Sequence, residues 1–174
     1  MNDSLTSDAP SDRPNWRVHW RSLLFACCLS FGVAGLGAAL TDLSDWYYQL
    51  KQPDWKPPDP AFGVIWTVIF LLCAISGWLG WHRLPSPAWR PLALFFWGLN
   101  GFLNLLWSLL YFTWRRPDWA MWEVPLLLMS ILALIAVHRR HSPMSAWLLL
   151  PYLVWVSIAT CLNWTTIALN GPFG

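Results

Sequence analysis

The chain has 174 residues, of which 56% are hydrophobic and only 11% charged, less than half the roughly 25% charged that a soluble domain carries. That composition excludes an ordinary soluble enzyme, and at about 20 residues per span the length leaves room for one bundle of membrane helices and no second globular domain. A formal net charge of +2, with the arginines scattered through short connections, excludes a nucleic-acid-binding stripe.

Residues 1–19 form a polar tail rich in Ser, Asp, Pro and Asn, and no small-residue cleavage site follows the first apolar run. That run is therefore expected to persist as a span in the mature protein rather than to be removed as a signal peptide. Apolar runs bounded by charge or proline follow at about 20–41, 61–82, 89–112, 119–137 and 144–169. Each is long enough to cross ~30 Å of hydrocarbon at about 1.5 Å per residue. The predicted fold is an all-α membrane protein, a five-transmembrane-helix bundle forming a single domain over 20–170.

The first run carries Gly32, Gly35, Gly37, Ala38 and Ala39, and the third carries Gly98 and Gly101. Small residues let membrane helices approach closely, either within the bundle or along a homodimer seam. Between the first two runs, 42–60 holds Pro53, Pro57, Pro58 and Pro60 with four aspartates and two lysines. Repeated proline stiffens the segment and forbids a regular helix there, so it reads as a lid over the bundle. Pro125 and Pro151 are expected to bend or locally open the fourth and fifth helices.

Five spans put the termini on opposite sides. Arg13, Arg17, Arg21, Arg83, Arg90, Arg139 and Arg140 then share one side, and Lys51, Lys56, Arg115 and Arg116 the other. This bias favours a cytoplasmic N-terminus in an inner or plasma membrane.

Cys27, Cys28, Cys73 and Cys161 all sit within apolar runs without CxxC spacing, which predicts neither a disulfide framework nor a zinc site. None of the four histidines lies in mid-span, so haem ligation by imidazole is not expected. His138 and His141 flank Arg139 and Arg140 and read as a solvated turn among the lipid headgroups. Glu123, the only glutamate, falls early in the fourth run, where the positive end of the helix dipole favours its ionised form. Asn100 and Asn104, four apart, share one helix face and point to interhelical hydrogen bonds or a ligand.

Sixteen tryptophans divide by depth. Trp16, Trp20, Trp46, Trp81, Trp89, Trp114, Trp119, Trp122 and Trp147 lie near span ends and suit an interfacial belt, and Trp55 belongs to the lid. Trp78, Trp97 and Trp164 read as packing residues. Trp66, Trp107 and Trp155 lie deep, where an indole can stack on a flat conjugated ligand.

Four blocks carry a resemblance. They are the lid and second-helix start, Trp46-Tyr47-Tyr48 through Pro57-Pro58-Asp59-Pro60-Ala61-Phe62-Gly63-Val64-Ile65-Trp66; Leu103-Asn104-Leu105-Leu106-Trp107; Arg115-Arg116-Pro117-Asp118-Trp119-Ala120; and Leu150-Pro151-Tyr152 through Trp155, Ala159 and Asn163. In this order they resemble the TspO/translocator protein family, the tryptophan-rich sensory proteins that include the mitochondrial peripheral benzodiazepine receptor, from about residue 22 to 170. The resemblance implies a five-helix bundle, commonly a homodimer in the lipid bilayer. It implies binding of porphyrins such as protoporphyrin IX or haem, and sometimes sterols, in a pocket capped by the first loop. Carried over residue by residue, it implies ligand contacts from Tyr47, Trp66, Asn104, Trp107, Trp155 and Ala159.

The chain departs from the family pattern at Pro60, where tryptophan is frequent, and at Val64-Ile65, where a proline often stands. The family's sterol motif finds Leu162 and Trp164 but no basic residue after them. No nucleophile–base pair, carboxylate dyad or metal cluster is visible, so no catalytic residue is named. The leading expectation is a multi-pass protein of a bacterial inner or outer membrane, or of an organelle, that binds a tetrapyrrole and serves tetrapyrrole handling or stress signalling. Porphyrin or lipid transport, and light-dependent porphyrin degradation, are the other classes the resemblance allows.

Overall fold

The computed structural model describes residues 16–85 and 88–173, with side chains from His19 onward. Within them the chain is helical, in the order α1 (Trp16–Leu40), α2 (Asp45–Gln49), α3 (Asp59–Arg83), α4 (Trp89–Ser108), α5 (Pro117–Arg139), α6 (Pro143–Leu148) and α7 (Leu150–Asn170). Five stretches are long and apolar enough to cross a membrane, namely His19–Leu40, Asp59–Arg83, Trp89–Thr113, Pro117–Arg139 and Pro143–Asn170. The protein is an integral multi-pass membrane protein built as a five-span bundle.

α1 begins at Trp16, and residues 1–15, most of the expected polar tail, lie outside the described part. Pro60 and Pro117 fall in the first turns of α3 and α5. A helix's first N–H groups have no intrahelical acceptor, so a proline there costs nothing. The same logic governs Pro151, which sits in the first turn of α7, and the helix opens just before it at Leu149. Pro125, in contrast, lies inside α5 without interrupting it. The lid segment contains the short helix α2, which ends before the first of the four prolines.

One element has no counterpart in the sequence reading. After Ser108, α4 widens into a π-helical turn over Leu109–Thr113, closed by Trp114 N–H donating to Leu109 O at 2.9 Å. Arg115 follows at φ 56°, a left-handed conformation that a side-chain-bearing residue rarely adopts. The turn buries Leu110 and Tyr111 together and delivers the chain sharply into α5.

α1 packs on α3 and α4, α4 on α5, and α5 on α6 and α7, while α3 packs on α6. The apolar core runs through Ile69, Leu103, Leu127, Ile131, Leu134 and Tyr152. Along most of their length α3 and α7 do not touch backbone to backbone. Only side chains bridge that gap, with Phe62 edge-on to Trp155 at 5.5 Å between ring centroids and Trp66 edge-on to Tyr152 at 6.1 Å.

The end of the bundle away from the lid is closed tightly. Ser76 Oγ donates to Ser145 O at 2.8 Å, and Ser145 Oγ donates back to Ser76 O. His138 is 1% exposed, and its Nδ1–H donates to Leu134 O at 2.7 Å. This corrects the expectation of a solvated histidine: α5 continues to Arg139, which puts His138 on an inward helix face rather than in the turn. The ring fits only because residue 80 is glycine, where a Cβ would lie 2.2 Å from it. Trp97 packs edge-on to His138 at 6.1 Å, as a packing residue should. Trp164 does not behave so; it is 62% exposed, since Asn163 takes the inward position beside it.

Candidate functional site

The separation of α3 from α7 leaves a cavity of about 720 Å³ below the lid. This lies within the range of about 300–1,000 Å³ typical of small-molecule sites. α3 contributes Phe62, Trp66 and Phe70; α4 and its π turn contribute Asn104, Trp107 and Tyr111; α7 contributes Trp155, Ala159 and Asn163. The fourth wall is α1, through Phe31, Ala34, Gly35 and Ala38. Tyr47, Gln52 and Asp59 line it from the loop. All six residues singled out from the sequence, Tyr47, Trp66, Asn104, Trp107, Trp155 and Ala159, therefore face one cavity although they come from four separate segments.

Their surroundings differ. Trp107 is stacked on Tyr111 at 5.1 Å and 29°, and Trp66 on Phe70 at 5.5 Å and 30°, so both rings are held in fixed planes. Trp155 is buried, and its Nε1–H has no hydrogen-bond partner among the described residues. Asn104 Nδ2 donates to Tyr152 Oη at 3.2 Å, and that hydroxyl donates to Asn100 Oδ1 at 3.3 Å. Asn100 Nδ2 in turn donates to Ser130 Oγ at 2.8 Å. Asn100 is thus an interhelical tie, and Asn104 is where this polar chain reaches the cavity wall.

The lid is fastened at three points. Lys51 N–H donates to Asn170 Oδ1 at 2.8 Å, and Asn170 Nδ2 donates to Lys51 O at 2.9 Å, which ties the loop to the last turn of α7. Lys56 pairs with Asp59 across the first turn of α3. Tyr47 Oη donates to Asp59 Oδ1 at 3.4 Å, and the Lys56 ammonium lies 5.1 Å from the Tyr47 ring centroid. Burial pushes the Tyr47 hydroxyl above its ordinary 10.0. For Lys56, burial works against the charged form, but hydrogen bonds to Asp59 and Tyr47 outweigh it and hold the ammonium above its ordinary 10.5. The third fastening lies at the loop's start, where Thr113 Oγ1 donates to Leu40 O at 3.0 Å and Arg115 faces Asp42 at 3.6 Å.

Glu123 is buried at 5% exposure, and neither carboxylate oxygen has a partner among the described residues. The expectation that the helix dipole stabilises it is therefore not met. α5 starts at Pro117, which puts Glu123 nearly two turns in, beyond the free N–H groups of the first turn.

Sequence reasoning missed Asn163, Gln52 and the α1 wall. Asn163 carried a usable signal, an amide in an apolar span, the same signal that singled out Asn104. Gly35 and Ala38 were read as packing residues, yet they border open space, because smallness serves a cavity as well as it serves helix contact.

Comparison with known proteins agrees with this architecture. The model of the TspO/MBR family matches residues 24–169, nearly the whole described chain. The chain belongs to the TspO/MBR family. Across 158 residues it is 32% identical to the tryptophan-rich protein TspO of Chlorobaculum tepidum, covering 90% of this chain and 99% of the relative. It is 31% identical over 122 residues to the human translocator protein, covering 68% and 71% of the two chains. To the tryptophan-rich sensory protein of Cereibacter sphaeroides it is 27% identical over 149 residues, covering 86% and 89%. The TspO/MBR assignment spans all five membrane helices and the lid.

Proposed function

We propose that the cavity beneath the lid binds a flat tetrapyrrole of the protoporphyrin IX or haem type, and that its occupancy serves tetrapyrrole handling or stress signalling. The observation that carries this reading is the pair of deep tryptophans on helices whose backbones stand apart. Trp66 on α3 and Trp155 on α7 line a cavity of about 720 Å³ that is walled mostly by apolar groups. Aromatic faces in such a site favour offset stacking on a conjugated ligand. The printed name of the Cereibacter relative, a sensory protein, supports a signalling role over a purely structural one.

Titration of the purified protein with protoporphyrin IX, followed by tryptophan quenching, tests the proposal. Saturable quenching that weakens in the Trp66→Phe, Trp155→Phe double variant is expected. Quenching that never saturates, or that is indifferent to both substitutions, overturns it.

A further inference from the structure

The cavity contains polar groups that the protein itself leaves unsatisfied. Asn163 is 1% exposed, and among the described residues neither its Oδ1 nor its Nδ2 has a hydrogen-bond partner. Gln52 Nε2, on the lid, lacks one as well. Both residues line the cavity. Buried amides without partners are uncommon in folded proteins, and each calls for an explanation such as an absent ligand.

Their placement is ordered. Trp155, Ala159 and Asn163 are spaced four apart on α7 and so form one stripe along the cavity wall. At about 1.5 Å per residue, Trp155 and Asn163 stand about 12 Å apart along the axis, with only the methyl of Ala159 between them. Asn163 is the member nearer the lid, because α7 ends at Asn170, which binds Lys51. A planar ligand lying over Ala159 meets an aromatic wall at its inner end and two amides, Asn163 and Gln52, at its lid end.

An asparagine side chain offers one donor group and one acceptor, and Gln52 adds a further free donor. A protonated carboxyl satisfies both atoms at once, its O–H donating to Asn163 Oδ1 and its carbonyl oxygen accepting from Asn163 Nδ2 with a lone pair left for Gln52 Nε2. We propose that Asn163, with Gln52, is a specificity-determining site for a carboxyl-bearing edge of the ligand, which seats the ring system with its acidic edge toward the lid. This rests on the tetrapyrrole reading and adds an orientation and a selectivity to it. Ligands without carboxyl groups lose the contact, while their stacking on Trp66 and Trp155 is unaffected.

The test compares protoporphyrin IX, which bears two propionic acids, with etioporphyrin, which bears only alkyl groups, on the full chain and on Asn163→Leu and Asn163→Asp. Asn163→Leu is expected to weaken protoporphyrin IX about tenfold and to leave etioporphyrin unchanged or tighter. Asn163→Asp, nearly the same shape, keeps the fold testable if the leucine variant unfolds; it should also weaken the diacid selectively, by removing the donor. Equal effects on both porphyrins, or none on either, overturn the assignment while leaving the tetrapyrrole reading intact. Failure of both porphyrins to bind the unaltered protein overturns that reading and the assignment with it.

Discussion

The two ends of the bundle set their buried polar groups in different surroundings, a packed turn at one end and a cavity at the other. At the closed end, Ser76 and Ser145 exchange hydrogen bonds, His138 donates to its own helix and Gly80 makes room for the imidazole; Ser142 Oγ and His141 Nε2 have no partner among the described residues, but neither residue lines the cavity. Toward the lid, Asn163 and Gln52 Nε2, and deeper in the same cavity Trp155 Nε1, have no hydrogen-bond partner among the described residues. In an apolar medium a satisfied polar group specifies one packing, whereas an unsatisfied one is a cost that a ligand can relieve. The difference separates a part of the molecule built for rigidity from a part built for occupancy.

Substitutions at the two ends should therefore fail differently. The largest effect is expected from Gly80→Val, which drives a side chain into the His138 ring; overpacking of this kind costs about 3 kcal/mol. Thermal unfolding in detergent should show the loss, with porphyrin affinity per folded molecule unchanged. At the other end, Trp66→Phe with Trp155→Phe should lower protoporphyrin IX affinity roughly tenfold, given about 0.5–1.5 kcal/mol per aromatic contact, with little change in unfolding temperature. Ser76→Ala leaves Ser145 O without its donor, while Ser145 Oγ keeps the residue 76 carbonyl, and should destabilise by about 1 kcal/mol, again without touching ligand affinity.

Asn170→Ala comes next. It removes two exposed hydrogen bonds that hold the lid, worth about 1 kcal/mol, and should appear as faster porphyrin dissociation rather than as lost stability. The slightest effect is that of pH on the Lys56–Asp59 fastening. Because Lys56 is held above 10.5 when folded, its contribution is fully present below that value and is lost as pH rises past the folded value. Limited proteolysis of the lid should be flat through neutral pH and increase only in strong alkali.

Spans and site were legible to different degrees. The five apolar runs predicted five spans because hydrocarbon thickness sets a length that the sequence must satisfy directly. Trp66, Asn104 and Trp155 were legible as a group through the resemblance of their blocks. Individually, a deep tryptophan could equally be packing, as Trp97 is. His138 was misread because its inward face depends on α5 extending past Val137, where basic residues form the last turn of the helix itself. The π turn at Leu109–Thr113 has no compositional signature at all; it answers to tertiary packing around Tyr111. Glu123 lies where the expected helix start at 119 is two residues late; with α5 beginning at Pro117 it falls beyond the first turn, and it is buried.

The most direct test of the division between the two ends is hydrogen–deuterium exchange with and without protoporphyrin IX. Added porphyrin should slow exchange in the lid over 42–58 and in the lid-proximal turns of α3 and α7, and leave the turns around Ser76, His138 and Ser145 as they were. Protection concentrated at the closed end, or spread evenly over all five spans, would contradict the account.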